Sequence, residues 1–264
     1  MEKNKFKYII VASHRRSGTH WLIDSIFNNL KGVNHGYINL DRLLTGSPEN
    51  INVEDFKKKI ITKKKTILKT HTPGNFEIFE PFVQQAKFIK EEIIPQSKII
   101  YIYRDGRDVM TSLYYYMLRS KKIGEISFNE FLETFNNFDE FYLIRNRIEF
   151  YKYHIDSWML KKNIYTLNYE SLHLSYLDSL KSISEYLGLP LKNKIDSIKL
   201  SKYNRIQRAI RRFIPGIFKT TAVLPRVGKT GDWRNSFDNN SKEIYKKYSG
   251  EILVELGYEK DNNW

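Results

Sequence analysis

The chain has 264 residues and a formal net charge of +14, and hydrophobic residues, with 18 Tyr and 16 Phe among them, make up 41% of it, enough for a sizeable core. It contains no cysteine, which excludes disulfides, thiolate metal sites and thiol nucleophiles. No apolar run reaches the ~18 residues that span a bilayer, and the first residues lead into a strand pattern rather than a signal peptide, so we expect a soluble, cytoplasmic protein whose positive charge favours anionic partners.

In chain order, residues 7–11 are a continuous apolar segment, the pattern of a strand buried on both faces. A polar loop with one glycine follows. Leu22, Ile23, Ile26, Phe27 and Leu30 then recur at helical spacing, with Gly32 as a stop. Residues 33–65 read as irregular and basic, with the lysine runs 57–59 and 63–65 on a solvated surface. Residues 66–71 form a second strand, halted at Thr72-Pro73-Gly74. A helix is expected over 81–94, from Pro81 to the residue before Pro95. Residues 98–104 make a third strand, 105–107 a turn, and 108–119 a helix. A short helix is expected over 128–138. A long one follows over 140–161, with Phe141, Ile144, Ile148, Tyr151, Ile155 and Trp158 three or four apart. Residues 164–169 are a fourth strand and 174–187 a helix ended by Gly188. No repeat or linker interrupts this alternation. We therefore expect one α/β domain over residues 1–264, a P-loop-like three-layer αβα architecture with a central, mainly parallel sheet flanked by helices.

Chemistry in such sheets gathers beyond the carboxyl ends of the strands. The first strand ends in Ser13-His14-Arg15-Arg16-Ser17-Gly18-Thr19-His20-Trp21, a strand–loop–helix junction whose backbone N–H groups and helix start suit an anion, with two guanidinium forks beside them. Taken alone, this loop is equally compatible with an ordinary turn carrying solvated arginines. The second strand ends in Lys69-Thr70-His71, the third in Arg104 and the fourth in Tyr169-Glu170. Lys69 and His71 fall on one face of their strand. Arg104 with Ser112, and the segment from Arg226 to Asn235 with its two glycines, are two further anion-binding candidates. A P-loop kinase or NTPase would carry Gly-x-x-x-x-Gly-Lys-Ser/Thr and a strand-end acid for magnesium. The loop at 13–20 lacks that lysine, and Gly228-Lys229-Thr230 is preceded five residues earlier by Val223, with no strand before it.

Together these stretches resemble the sulfotransferases that use 3′-phosphoadenosine 5′-phosphosulfate (PAPS), the cytosolic type in particular, from Ile10 to Asn235 and in family order. The resemblance implies PAPS as sulfuryl donor, 3′,5′-adenosine bisphosphate (PAP) as product and no metal. It makes Arg15, Arg16, Ser17, Gly18, Thr19, His20 and Trp21 the phosphosulfate loop, with Trp21 against adenine. Arg104, Ser112, Arg226, Val227 and Gly228 correspond to the 3′-phosphate site and Tyr169 to the adenine side, where Ser201 and Tyr203 are also candidates. His71 becomes the general base, Lys69 a stabiliser of the transferring group, and Arg16 the cation on the leaving phosphate. Three positions depart from the family. Arg16 stands where a lysine is usual, although carbohydrate sulfotransferases also place arginine there; His20 replaces a threonine; and Val227 replaces a basic residue, for which Lys229 is a nearby substitute. The family's dimerisation motif is not visible after Asn235, so the oligomeric state stays open.

The acceptor is expected to be a hydroxyl, less readily an amine, on a small molecule, lipid or glycan. Residues 205–218 carry an apolar face ringed by arginines, read as a lid, a surface helix on anionic lipid, or a packed helix. Phe76, Phe79, Tyr114 and Tyr115 are candidate acceptor-lining aromatics. The alternatives to a sulfotransferase are a P-loop nucleotide kinase or NTPase, and a basic protein that binds nucleic acid or a membrane surface. On the sulfotransferase reading no nucleic-acid partner is expected.

Overall fold

A computed structural model describes residues 6–44, 52–75, 83–134, 146–196 and 228–264. Its centre is a five-stranded parallel sheet in the order β2-β3-β1-β4-β5, with β1 Tyr8–Ala12, β2 Ile38–Asn39, β3 Thr66–Thr70, β4 Ser97–Tyr103 and β5 Ile164–Asn168. β1 lies at the middle, with Ala12 level with Thr70 of β3 and Tyr101 of β4, so three strand ends open onto the same edge.

The continuous apolar strands follow from burial on both faces. Ile9 and Val11 enter one core with Ile67, Ile100 and Ile102, under α1 Thr19–Asn29 and α8 Tyr176–Leu187. Tyr8, Ile10 and Ala12 point the other way, into a larger core with Leu68 and Tyr101. That face is covered by α2 Val53–Ile60, α4 Gly106–Arg119, α5 Phe128–Glu133, α6 Arg147–Met159, α9 Asn239–Ser249 and α10 Glu251–Glu255. The three-layer expectation therefore holds.

Several boundaries differ from the sequence reading. Residues 33–65 are not irregular throughout. They hold β2, a 3-10 turn at Leu40–Leu43 and α2, which Asn52 caps by accepting from the Asp55 N–H and which buries Phe56 and Ile60. A two-residue strand has no periodicity to read, and the lysines on α2's outer side mask its two-residue apolar face. α1 begins at Thr19, before the first apolar repeat, and ends at Asn29; Leu30 turns to extended backbone, so Gly32 lies beyond the true stop. The expected helix over 81–94 is, where described, α3 Val83–Phe88, a π-turn Ile89–Ile93 and a 3-10 turn that contains Pro95. Asp105 accepts from the Arg107 N–H, which starts α4 at Gly106 rather than after the expected turn. α5 stops at Glu133. α6 starts behind a capping box of Asn146 and Glu149. The expected helix at 174–187 is α8, which starts two residues later and ends before Gly188; a separate short helix, α7 Tyr169–Leu174, precedes it, with Ser175 between them.

Candidate active site

At the end of β1 the chain turns through Arg16 with φ 72° and Gly18 with φ 94°. A left-handed arginine costs of order 1 kcal/mol, which this loop tolerates. Gly18 is needed twice over, because a Cβ there would lie 2.5 Å from Cδ2 of Tyr169. Gly18 is also the N-cap of α1, whose first turn has no side-chain cap and no acid, so its N–H groups are available to an anion. Ser17 Oγ is wholly buried in this loop and, among the described residues, lacks a hydrogen-bond partner. Such an orphaned donor fits an anionic ligand.

His71 lies one residue past β3, partly buried. Its Nδ1 is 2.8 Å from the Ser13 carbonyl oxygen, which only accepts, so Nδ1 carries the proton and Nε2 keeps its lone pair. Burial first, then the charges of Lys69 and Arg15, hold its pKa well below the ordinary histidine value, so the ring is neutral at pH 7. Ser13 Oγ bridges towards Thr19 Oγ1 at 2.6 Å. Lys69 is buried, with Nζ 5.8 Å from the Tyr37 ring centroid. Burial lowers its pKa, partly offset by Asp41. His20 packs edge-on against the same Tyr37, and burial with Lys69 and Arg16 nearby draws its pKa down to about 4. Behind His71 the buried His154 donates from Nε2 to the His71 carbonyl at 3.1 Å, and its Nδ1 faces Tyr101 Oη at 3.0 Å. Trp158 Nε1 donates to the Thr72 carbonyl at 2.9 Å.

A second cluster of arginine side chains lies at the end of β4. Arg16 Nε donates to Ser112 Oγ at 3.0 Å, joining the loop to α4. Burial, then repulsion from Arg104, lowers the Arg16 pKa to about 10, which leaves about a thousandth of it deprotonated at pH 7. Arg104 is buried over the Tyr169 ring, 4.5 Å from its centroid, and its NH2 group donates to Asp108 Oδ2 at 3.0 Å and to the Lys229 carbonyl at 2.9 Å. Among the described residues its Nε is buried without a partner. Asp108 also accepts from the Gly231 and Trp233 N–H groups, both at 2.9 Å, and so ties the 228–233 segment to α4. Gly228 has φ 71°, and its carbonyl faces His173 Nε2 at 3.1 Å.

The structure thus gathers Arg15, Arg16, Ser17, Gly18, Thr19, His20, Lys69 and His71 on one side of the loop, and Arg104, Ser112, Tyr169 and Gly228 on the other. Trp21 is buried beside them, stacked on Tyr176 with 12° between the ring planes and edge-on to Tyr169. Lys229 presents its carbonyl to Arg104 while its side chain is exposed. Tyr114 packs against Tyr115, Phe128 and Phe131 and donates to the Ile126 carbonyl, a structural role. Phe76, Phe79, Ser201, Tyr203, residues 205–218, Arg226 and Val227 lie outside the described residues. Asp41, His154 and Asp108 were not singled out from sequence; only Asp108 carried a signal, its four-residue offset from Arg104. Among the described residues, no group of three or more His, Asp or Glu is placed to hold a metal ion, and no helix is long and apolar enough to cross a membrane.

Comparison with known proteins adds independent findings. Residues 7–257 match the family described as sulfotransferase domain. Sulfotransferase 2B1 of Mus musculus is 24% identical over 259 residues, covering 90% of this chain and 68% of the relative. Sulfotransferase 2A1 of Rattus norvegicus is 24% identical over 258 residues, covering 93% and 84%. Among solved structures, mouse sulfotransferase SULT7A1 complexed with PAP superposes with TM-score 0.59 at 21% identity, covering 95% of this chain and 87% of that one. Retinol dehydratase in a complex with retinol and PAP gives TM-score 0.59 at 21% identity, covering 94% and 81%.

Proposed function

Because the chain belongs to the sulfotransferase domain family, we propose that it moves a sulfuryl group from PAPS to a hydroxyl of a small-molecule, lipid or glycan acceptor, with His71 as general base. The observation that carries the base assignment is the Nδ1 contact to the Ser13 carbonyl, which leaves a neutral ring with Nε2 as the basic atom. Ser17 Oγ in the loop and Arg104 Nε just past β4, both buried without a hydrogen-bond partner among the described residues, are the donors that fit PAPS.

When bound, PAPS supplies a sulfuryl group already attached to a phosphate that can leave with its electron pair. His71 accepts the hydroxyl proton of the acceptor at Nε2 as the acceptor oxygen bonds to sulfur. Lys69 supplies positive charge beside His71, where negative charge develops. Arg16, Ser17, Thr19 and the first turn of α1 hold the 5′ end. Arg16 stays protonated, so it stabilises the departing phosphate by charge and not by proton donation. Its Nε is already held by Ser112, which leaves the terminal nitrogens of the fork for the anion. Arg104, Ser112 and Gly228 hold the 3′-phosphate, while Tyr169 and Trp21 border the adenine.

Thermal denaturation tests the donor. PAP at 100 times its Kd should stabilise the protein by about 2.7 kcal/mol without magnesium, and ATP with magnesium should do little. Stabilisation by ATP alone, and only with metal, would refute the assignment. His71→Ala should keep the PAP shift and lose transfer from labelled PAPS to a panel of phenols, sterols, glycolipids and sugars. Turnover retained in that variant removes the base role.

A further inference from the structure

The His71 segment is held from a second side by a group with no assigned role. Asp41 sits in the 3-10 turn after the edge strand β2 and is 8% exposed. Its Oδ1 accepts from Thr70 Oγ1 at 2.6 Å, from Thr72 Oγ1 at 3.0 Å and from the His71 N–H at 3.1 Å; Oδ2 lies 3.1 Å from the same N–H. One carboxylate thus gathers donors from three consecutive residues around His71. The His71 carbonyl is held by His154, and the ring by Ser13.

We propose that Asp41 is a positioning residue of the transfer site, setting the backbone of residues 70–72 so that the His71 ring meets the Ser13 carbonyl and presents Nε2 to the acceptor. This rests on the reading of His71 as base. Four charge-assisted contacts to a buried carboxylate are stronger and more directional than neutral ones, which suits a locked segment rather than a general fold contact. Asp41 has a second effect, because its negative charge favours protonated Lys69. The groups facing Lys69 are Asp41 from the 3-10 turn, Tyr37 before β2, Arg15 and His20 from the loop and α1, and His71 just past its own strand.

Asp41→Asn keeps the size of the side chain and removes its charge and one acceptor oxygen. With histidine-labelled full-length protein, nitrogen NMR should show His71 as the Nδ1–H tautomer throughout neutral pH, the signal being identified by its loss in His71→Asn. In Asp41→Asn, both tautomers should appear while PAP affinity stays within about threefold, and sulfuryl transfer to 2-naphthol should fall about 100-fold, the scale of a small misplacement of a reacting group. The alkaline fall of that rate should also move to lower pH, because Lys69 loses the charge that holds its proton; a purely structural contact would not move it. An unchanged His71 tautomer signal in Asp41→Asn overturns the proposal, whatever the acceptor. If Asp41→Asn does not fold, Thr72→Val, which removes one hydroxyl donor, is read by the same signal. Turnover retained in His71→Asn would refute the base reading instead, and the tautomer signal judges Asp41 independently of it.

Discussion

Asp108 offers the sharpest test of how the nucleotide side is assembled. Its carboxylate is buried, with relative exposure of 1%, and three donors converge on it: Arg104 NH2, and the backbone N–H groups of Gly231 and Trp233. Asp108→Ala leaves a buried guanidinium without its counter-ion and two backbone donors without acceptors. Removing one partner of a buried pair typically costs about 3–5 kcal/mol. For a domain of this size each kcal/mol lowers Tm by about 2–4 °C, so Tm should fall by about 6–20 °C. Asp108→Asn keeps one acceptor oxygen but turns an N–H2 towards donors. It should cost about 2 kcal/mol, the range of one hydrogen bond to a charged group. The same variants should lose PAP binding, because Arg104 and the 228–233 segment both depend on Asp108. Thermal or urea denaturation with and without PAP reads both effects. If Asp108→Ala is within about 1 kcal/mol of the wild type, or keeps the full PAP shift, the reasoning fails.

Three further outcomes follow from the same geometry. Burial raises the Asp24 carboxyl to about 6 from 3.8, so the folded protein carries the charge at a cost at pH 7; Asp24→Asn should stabilise it there by up to about 3 kcal/mol, a lead that disappears as pH falls to 4, in urea titrations across that range. His20 acts with the opposite sign. Its pKa drops from 6.5 to about 4 on folding, so below 6.5 the unfolded chain binds the proton first, and up to about 3 kcal/mol is lost between those values. His71 and His154 shift in the same direction. The wild type should therefore lose stability between pH 6.5 and 4, with Asp24 offsetting part of the loss, and flat stability over that window would contradict the burial of these rings. Gly18→Ala forces a Cβ into Tyr169 at a φ of 94° and should abolish the PAP-induced Tm shift; an unaltered shift would show that the loop adjusts freely.

Residue order alone determined four of the five strands and the edge of the sheet on which the candidate residues lie. β1, β3 and β4 are buried on both faces because helices cover both faces, and in β1 and β4 that leaves a continuous apolar run to read. Polar residues immediately after such runs marked the loop at 13–21, His71 and Arg104, since local chain direction suffices to put strand ends on one edge. Tertiary structure alone decided how those residues are held. Asp41 is 30 positions before His71, and His154 is 83 positions after it. No local pattern links residues so far apart, and β2, which brings Asp41 to the site, is too short to carry a period. The tautomer of His71 depends on one carbonyl from a neighbouring strand's loop, and the availability of Arg16 depends on a hydroxyl 96 positions away. Proton positions and hydrogen-bond partners are properties of packing, so a sequence can name the histidine and the arginine, and only the fold assigns the basic nitrogen of one and the free end of the other.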